Sequence, residues 1–138
     1  MSKNKNLLNQ FDTESTSENG AWLHLVLPST GEPSYLDEKQ EKPLRIKLKG
    51  PDSNAWVNFQ RKALRNNDKN DRRTTKELAN EDSKLFAKMT IEVENIPDIE
   101  KPSEEQLVEM YVTYKDIRIQ ALTFVMNREN FTKGSENN

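Results

Sequence analysis

The amino-acid sequence predicts a mainly α fold within the α+β class, with a small N-terminal β-hairpin packed on a compact bundle of about four helices. Two short β-prone segments come first, and the later apolar residues recur mostly every three or four positions. A chain of 138 residues has the size of one domain. Because only 33% of the residues are hydrophobic and 32% are charged, we expect a modest core of marginal stability, which self-association would strengthen.

The polar ends of the chain set the expected domain bounds. One folded domain is expected over residues 18–132, between a flexible leader at 1–17 and a flexible tail at 133–138, because both ends are rich in polar residues. Three apolar residues of the leader form a candidate docking element: Leu7, Leu8 and Phe11.

The β-hairpin is expected over residues 21–49. Its first strand, AWLHLVL, begins at residue 21 and is bounded by Gly20 and Pro28. Its second strand, LRIKLK, begins at residue 44 and alternates apolar with basic residues, which is typical of a half-buried strand. Because a lone hairpin is marginal in water, its apolar face must pack on helices.

Apolar residues at helical spacing predict the bundle. The helices are expected at about residues 53–66, 75–93, 104–114 and 116–128. Capping residues precede the first three of them: Asp52 or Ser53, Thr74 with Glu77, and Ser103 with Gln106. Met89, Ile91 and Val93 also alternate, so residues 89–96 fit either the end of a helix or a strand.

These elements share a predicted core of large apolar residues. Its members are Trp22, Leu25, Leu44, Ile46, Leu48, Trp56, Phe59, Leu85, Phe86, Leu107, Tyr111, Phe124 and Phe131.

Composition argues against several classes of function. A net charge of −2 gives no general basic field for nucleic acid, and the basic cluster of residues 61–73 is interrupted by Asp68 and Asp71. The chain has no cysteine, and His24 alone cannot assemble a typical metal site. No signal peptide, membrane span, glycine-rich phosphate loop or nucleophile motif is visible. We therefore expect no catalytic, cofactor-binding or metal-binding residues.

The last predicted helix carries more apolar surface than one buried face needs. Ile117, Ala121, Phe124 and Val125 form one stripe at 3–4 spacing, and three further apolar residues lie beyond it. Such a helix must be covered by its own domain or by a partner. The candidate partner-contact residues are Tyr114, Ile119, Leu122, Met126 and Arg128, although each could instead pack in the core or in a homodimer seam. Flexible methionines such as Met110 and Met126 suit a surface that meets variable targets.

Two segments together resemble a known family. The first is ENGAWLHL at residues 18–25, followed by the strand at 44–50 and by Asp52-Ser53-x-x-Trp56. The second is the ending IRIQALTFVMNRENF at residues 117–131. Their order and spacing are similar to those of the tail assembly chaperones of long-tailed bacteriophages, over roughly residues 18–132. Ile119 and Leu122 depart from the family pattern, which has acidic or polar residues there.

The resemblance implies a non-enzymatic protein of the bacterial host cytoplasm that is not expected in the mature virion. Such chaperones bind the long, hydrophobic tape-measure protein, keep it in solution and help to recruit tail-tube subunits during tail assembly. Two other classes remain open from the residues. One is a structural virion component, such as a tail terminator or connector subunit, and the other is a small nucleic-acid-binding regulator.

Overall fold

The computed structural model describes residues 7–66 and 72–132. The expected tail at 133–138 lies outside these residues. Within them, helices and strands follow in the order α1 (Thr13–Asn19), β1 (Ala21–His24), β2 (Arg45–Leu48), α2 (Asn54–Asn66), α3 (Thr75–Met89), β3 (Thr90–Glu94), α4 (Glu104–Thr113) and α5 (Lys115–Met126). Short 3-10 turns at Asn9–Phe11 and Arg128–Phe131 precede α1 and follow α5. The predicted mainly α fold with some β structure is confirmed, and a third strand adds to the predicted N-terminal β-hairpin.

The sheet has three antiparallel strands in the order β1-β2-β3. The alternation at residues 89–96 belongs to its third strand, so the predicted helix at 75–93 is too long and ends at Met89. Thr90 begins the strand because its backbone is extended, at φ −80° and ψ 119°. The pairing shifts between Lys47 and Leu48 and skips Ile91, which leaves this residue exposed.

The register of the sheet corrects one predicted core residue. Trp22 pairs with Lys47, and cross-strand partners share a face of the sheet. Trp22 is therefore half-buried on the outer face, where the Arg45 guanidinium carbon lies 4.5 Å from the centre of its ring. Leu23 and its partner Ile46 occupy the core face instead.

The remaining predicted core residues are either buried or packed half-buried against the core. Five residues outside the predicted core list are also buried there: Ala87, Met89, Met110, Ala121 and Val125. Tyr111 is fully buried, and its hydroxyl lies 2.7 Å from the Thr90 hydroxyl, which donates to the Phe86 carbonyl. Burial raises the pKa of Tyr111, so this hydroxyl stays protonated and can donate to Thr90.

Helix α1 corrects the predicted leader at residues 1–17. Asp12 caps the helix by accepting from the Ser15 amide, and Thr16 and Ser17 are buried. The Ser17 carbonyl accepts from the Gly50 amide at 2.9 Å, and its hydroxyl oxygen accepts from the Asp52 amide at 3.1 Å. Buried hydroxyls on a short polar helix have no apolar periodicity, so the sequence pattern could not reveal them.

Gly50 allows three segments to meet at one point. A Cβ atom at this position would lie 2.5 Å from the Phe131 ring and 2.6 Å from the Ser17 hydroxyl oxygen. Phe131 is almost fully buried there, against α1 and the turn that leads from β2 into α2. The close approach of the C-terminal 3-10 turn therefore depends on the absence of a side chain at Gly50.

We expect Gly50→Ala to lower the free energy of unfolding by about 1–3 kcal/mol, because the added methyl group overpacks a filled site. Urea denaturation followed by circular dichroism measures the change. Gly31→Ala is the control. A Cβ atom at Gly31 would have no heavy atom within 4 Å, but the backbone there has a φ of +74°. This variant should therefore lose only about 1 kcal/mol, through backbone strain. A smaller loss at Gly50 than at Gly31 would contradict the packing argument.

Candidate partner-binding surface

Helix α5 has two apolar stripes on different sides. Ala121 and Val125 are fully buried, and Ile117 and Phe124 pack half-buried beside them. The other stripe consists of Ile119, Leu122 and Met126, which lie within roughly 60° of one another on the far side of the helix at about 100° per residue. Ile119 is 48% exposed, Leu122 40% and Met126 66%. We call these three residues the exposed stripe.

Gln120 fixes the rotation of α5 about its own axis. Its side-chain carbonyl accepts from the Val26 amide, and its side-chain NH₂ donates to the Val26 carbonyl, each at 2.9 Å. The same NH₂ group donates to Asp116 at 2.6 Å. Gln120 thus pairs with the backbone just beyond β1 as a neighbouring strand would. With this side of α5 held against Val26, the exposed stripe faces solvent.

Arg118 closes the junction between α4 and α5. Its guanidinium donates to the carbonyls of Tyr111 at 2.7 Å and Val112 at 3.3 Å, which neutralises the C-terminal end of α4. Burial raises the pKa of Asp82, and the nearby Arg118 charge acts in the opposite direction. Tyr114 lies at this junction and is 57% exposed.

Arg128 differs from the other four candidate contact residues. It is exposed, yet its guanidinium donates to both carboxylate oxygens of Asp52, one of them at 3.2 Å. Hydrogen bonding from Arg128 is the largest cause that holds the pKa of Asp52 below its ordinary value of 3.8, and a hydrogen bond from Thr13 adds to it. Arg128 therefore ties the C-terminal turn to the start of α2.

The predicted surface is thus exposed in the structure, but its members differ. The exposed stripe and Tyr114 point to solvent, whereas Arg128 also serves the fold. The expectation for Met110 is wrong, because this side chain is 95% buried in the core.

The other candidate sites of the sequence serve the structure or lie at the surface. His24 donates from Nε2 to the Ser34 carbonyl at 2.8 Å and stacks edge-on against Tyr35. Of the basic cluster, Arg61, Lys62 and Arg65 are exposed on α2, and Arg73 pairs with Glu81. Lys69 of this cluster lies outside the described residues.

Searches for metal sites and membrane spans over residues 7–66 and 72–132 found neither. No group of three or more His, Cys, Asp or Glu side chains in these ranges could hold a metal ion. No helix formed by these residues is long and apolar enough to cross a bilayer.

An apolar groove beside α4 was not predicted from the sequence. It has a volume of about 540 Å³ and lies between α4 and the loop that follows β3. The loop backbone that forms its wall has positive φ at Asn95 and Asp98. Asn and Asp enter this region more readily than other residues, but the sequence alone did not indicate that they do so here.

Comparison with protein-family models, with curated proteins and with solved structures found no match for this chain.

The Asp52–Arg128 pair predicts an acid-dependent contribution to stability. Because the pKa of Asp52 is lowered on folding, the contribution is fully present above the unfolded value near 3.8 and is lost as the pH falls through the folded value. We expect Arg128→Gln to destabilise the protein by less than about 1 kcal/mol at neutral pH, because the guanidinium is largely in solvent. Urea denaturation from pH 7 to 2.5 should show the native and variant curves converge below pH 3.8.

Arg65→Gln is the matched control for this pair, because Arg65 makes no ion pair with any described residue. It should leave the pH dependence unchanged. If the free energy of unfolding of Arg128→Gln is still lower than that of the native protein at the lowest pH, the stability lost in the variant is not electrostatic.

Proposed function

We propose that this chain is a non-enzymatic tail assembly chaperone of a long-tailed bacteriophage. In this role it binds helices of the tape-measure protein in the host cytoplasm, keeps them in solution, helps to recruit tail-tube subunits, and is absent from the mature virion. The support is the resemblance of residues 18–25, 44–56 and 117–131 to that family, together with the exposed stripe on α5.

The exposed stripe is the observation that carries the proposal. Its members are spaced by three and then four residues, which is the spacing that packs one helix against another. Ile119 and Leu122, where the family has acidic or polar residues, make this surface apolar in this chain. Amphipathic helices of a tape-measure protein would cover the stripe in helix-on-helix fashion. Met126, the most exposed of the three, can adapt to imperfectly repeated targets.

Tyr114 and Arg128 extend the proposed contact beyond the two ends of α5. Tyr114 offers an exposed aromatic ring, which contributes large contact area at low entropic cost. Arg128 can keep its hydrogen bonds to Asp52 while the rest of its exposed guanidinium meets an acidic group on the partner.

A second candidate function rests on basic residues in the C-terminal half of α2. This helix has no acidic residue, and Arg61, Lys62 and Arg65 lie exposed within about 100° of one another. Such a surface suits a polyanion, as in a nucleic-acid-binding regulator. Gel shifts at increasing salt distinguish the candidates, because each phosphate contact steepens the salt dependence of binding.

The chaperone proposal is tested by co-expression with a helical fragment of a tape-measure protein. Leu122→Glu with Met126→Glu should lower the soluble yield of the fragment by at least about tenfold, because each buried carboxylate without a partner costs several kcal/mol. Leu64→Glu with Leu78→Glu is the matched control, since these leucines are also exposed but lie on α2 and α3.

Circular dichroism and thermal melting must first show that both double variants fold like the native chain. The proposed surface is wrong if the stripe variant folds normally and solubilises the fragment as well as the control does. Purified particles separate the chaperone from a terminator or connector subunit, which would be present there in fixed ring stoichiometry.

A further inference from the structure

The groove beside α4 is an apolar site that includes no residue of the exposed stripe. Its volume of about 540 Å³ lies within the usual range of ligand sites. Its lining is largely apolar and includes Leu25, Leu44, Met110 and Ile117. Ile96 and Ile99, from the loop that follows β3, also line it. A groove of this kind takes a few apolar side chains of a peptide segment.

The wall of the groove is held in an uncommon backbone conformation. Asn95 has a φ of +59° and Asp98 a φ of +65°, a region that costs about 1 kcal/mol or more for residues other than glycine. The side chain of Asn95 donates to the Pro43 carbonyl at 2.9 Å, and the Ile99 amide donates to the Ile96 carbonyl at 3.1 Å. Backbone strain of this kind is concentrated at binding sites, where it keeps a surface preformed.

The rim of the groove is acidic. Asp98, on the loop that follows β3, and Glu109, on α4, are exposed, and none of the described residues that line the groove is basic. An occupant that places apolar side chains on the floor and lysine or arginine at the rim therefore complements both the shape and the charge.

The N-terminal leader of this chain has this composition. Leu7, Leu8 and Phe11 are exposed to 57%, 67% and 75% of their full area, so the structure does not bury them in their own domain. Lys3 and Lys5 precede them in the sequence, and no acidic residue lies before Asp12.

In the described structure the leader lies away from the groove of its own chain, since none of residues 7–11 lines it. Helix α1 is anchored where β2 ends, and its first residue, Thr13, hydrogen-bonds to Asp52 beyond Gly50. The groove lies at the other end of the strand, by Leu44, which is about 20 Å from Gly50. From Leu8 to Thr13 the chain covers only about 10 Å at the advance of a 3-10 turn.

We infer that residues 7–11 of one copy dock in the groove of a second copy, whose acidic rim is complementary in charge to a leader that carries lysine and no acidic residue before Asp12. The contact joins two different surfaces of the same protein, so it is heterologous or reciprocally exchanged. The inference does not rest on the proposed chaperone function, because the groove includes no residue of the exposed stripe, and Tyr114 is the candidate chaperone contact that also lines it.

Sedimentation of the full chain from micromolar to millimolar concentration tests the inference. The native chain should associate as its concentration rises, and Leu8→Glu with Phe11→Glu should weaken association by at least about tenfold. Leu36→Glu with Leu64→Glu is the matched control, because both leucines are exposed outside the leader and the groove. A native chain that stays monomeric throughout, or a leader variant that associates as the control does, overturns the inference.

A charge exchange tests the orientation of the leader. Glu109→Lys should weaken association several-fold, and adding Lys3→Glu and Lys5→Glu to the same chain should restore it, because the sign of both surfaces is then reversed. Leu122→Glu with Met126→Glu should associate normally. If this stripe variant loses association while the leader variant keeps it, the copies meet through the exposed stripe and the inference is wrong.

Discussion

The position of helix α5 depends on its attachment to the N-terminal half of the chain at two points. Near its middle, Gln120 makes two hydrogen bonds to the backbone of Val26. Just beyond its end, Phe131 packs over Gly50, where no side chain could be accommodated. These two attachments direct Ala121 and Val125 into the core, and helical geometry then sends residues 119, 122 and 126 to the opposite side. The exposed stripe is therefore a consequence of how the two halves of the chain are joined.

Several residues on which the proposed family resemblance rests also hold the fold together. In the C-terminal segment, Arg118 caps α4, Asn130 donates to the Phe124 carbonyl, and Arg128 pairs with Asp52 of the N-terminal segment. Ile119 and Leu122, which depart from the family pattern as Asp116 also does, are exposed instead. The proposed resemblance thus rests largely on residues that stabilise the fold, whereas the exposed stripe is the surface proposed to bind a partner.

The sequence predicted an element correctly where its local pattern of residues favours one type of secondary structure. Alternation located β2, and the Ser103 and Gln106 side chains form the predicted capping box at 3.0 and 3.2 Å. It failed where the outcome depends on tertiary pairing. Trp22 is apolar, but pairing with Lys47 places it on the outer face.

Helix–strand ambiguity and buried polar groups account for the other errors. Residues 90–94 could continue a helix on periodicity alone, and only pairing with β2 makes them a strand. The sequence correctly placed Tyr114 and Arg128 at the protein surface. It could not predict the hydrogen bond from Arg128 to Asp52, because these residues are 76 positions apart. Contacts over such separations leave no periodic signal in a single sequence.

Tyr114 links the two proposed surfaces physically. It is an exposed residue that lines the groove beside α4, and it is also one of the proposed contacts for a partner helix along α5. If a partner helix and a leader from a second copy both require this ring, each must weaken the binding of the other by the same factor, because the coupling between two binding equilibria is reciprocal. Self-association would then shield apolar surface in the unbound protein and give way as the partner binds. The core of this chain is too small to cover its exposed apolar side chains. Association with another chain is therefore the main way to remove them from water.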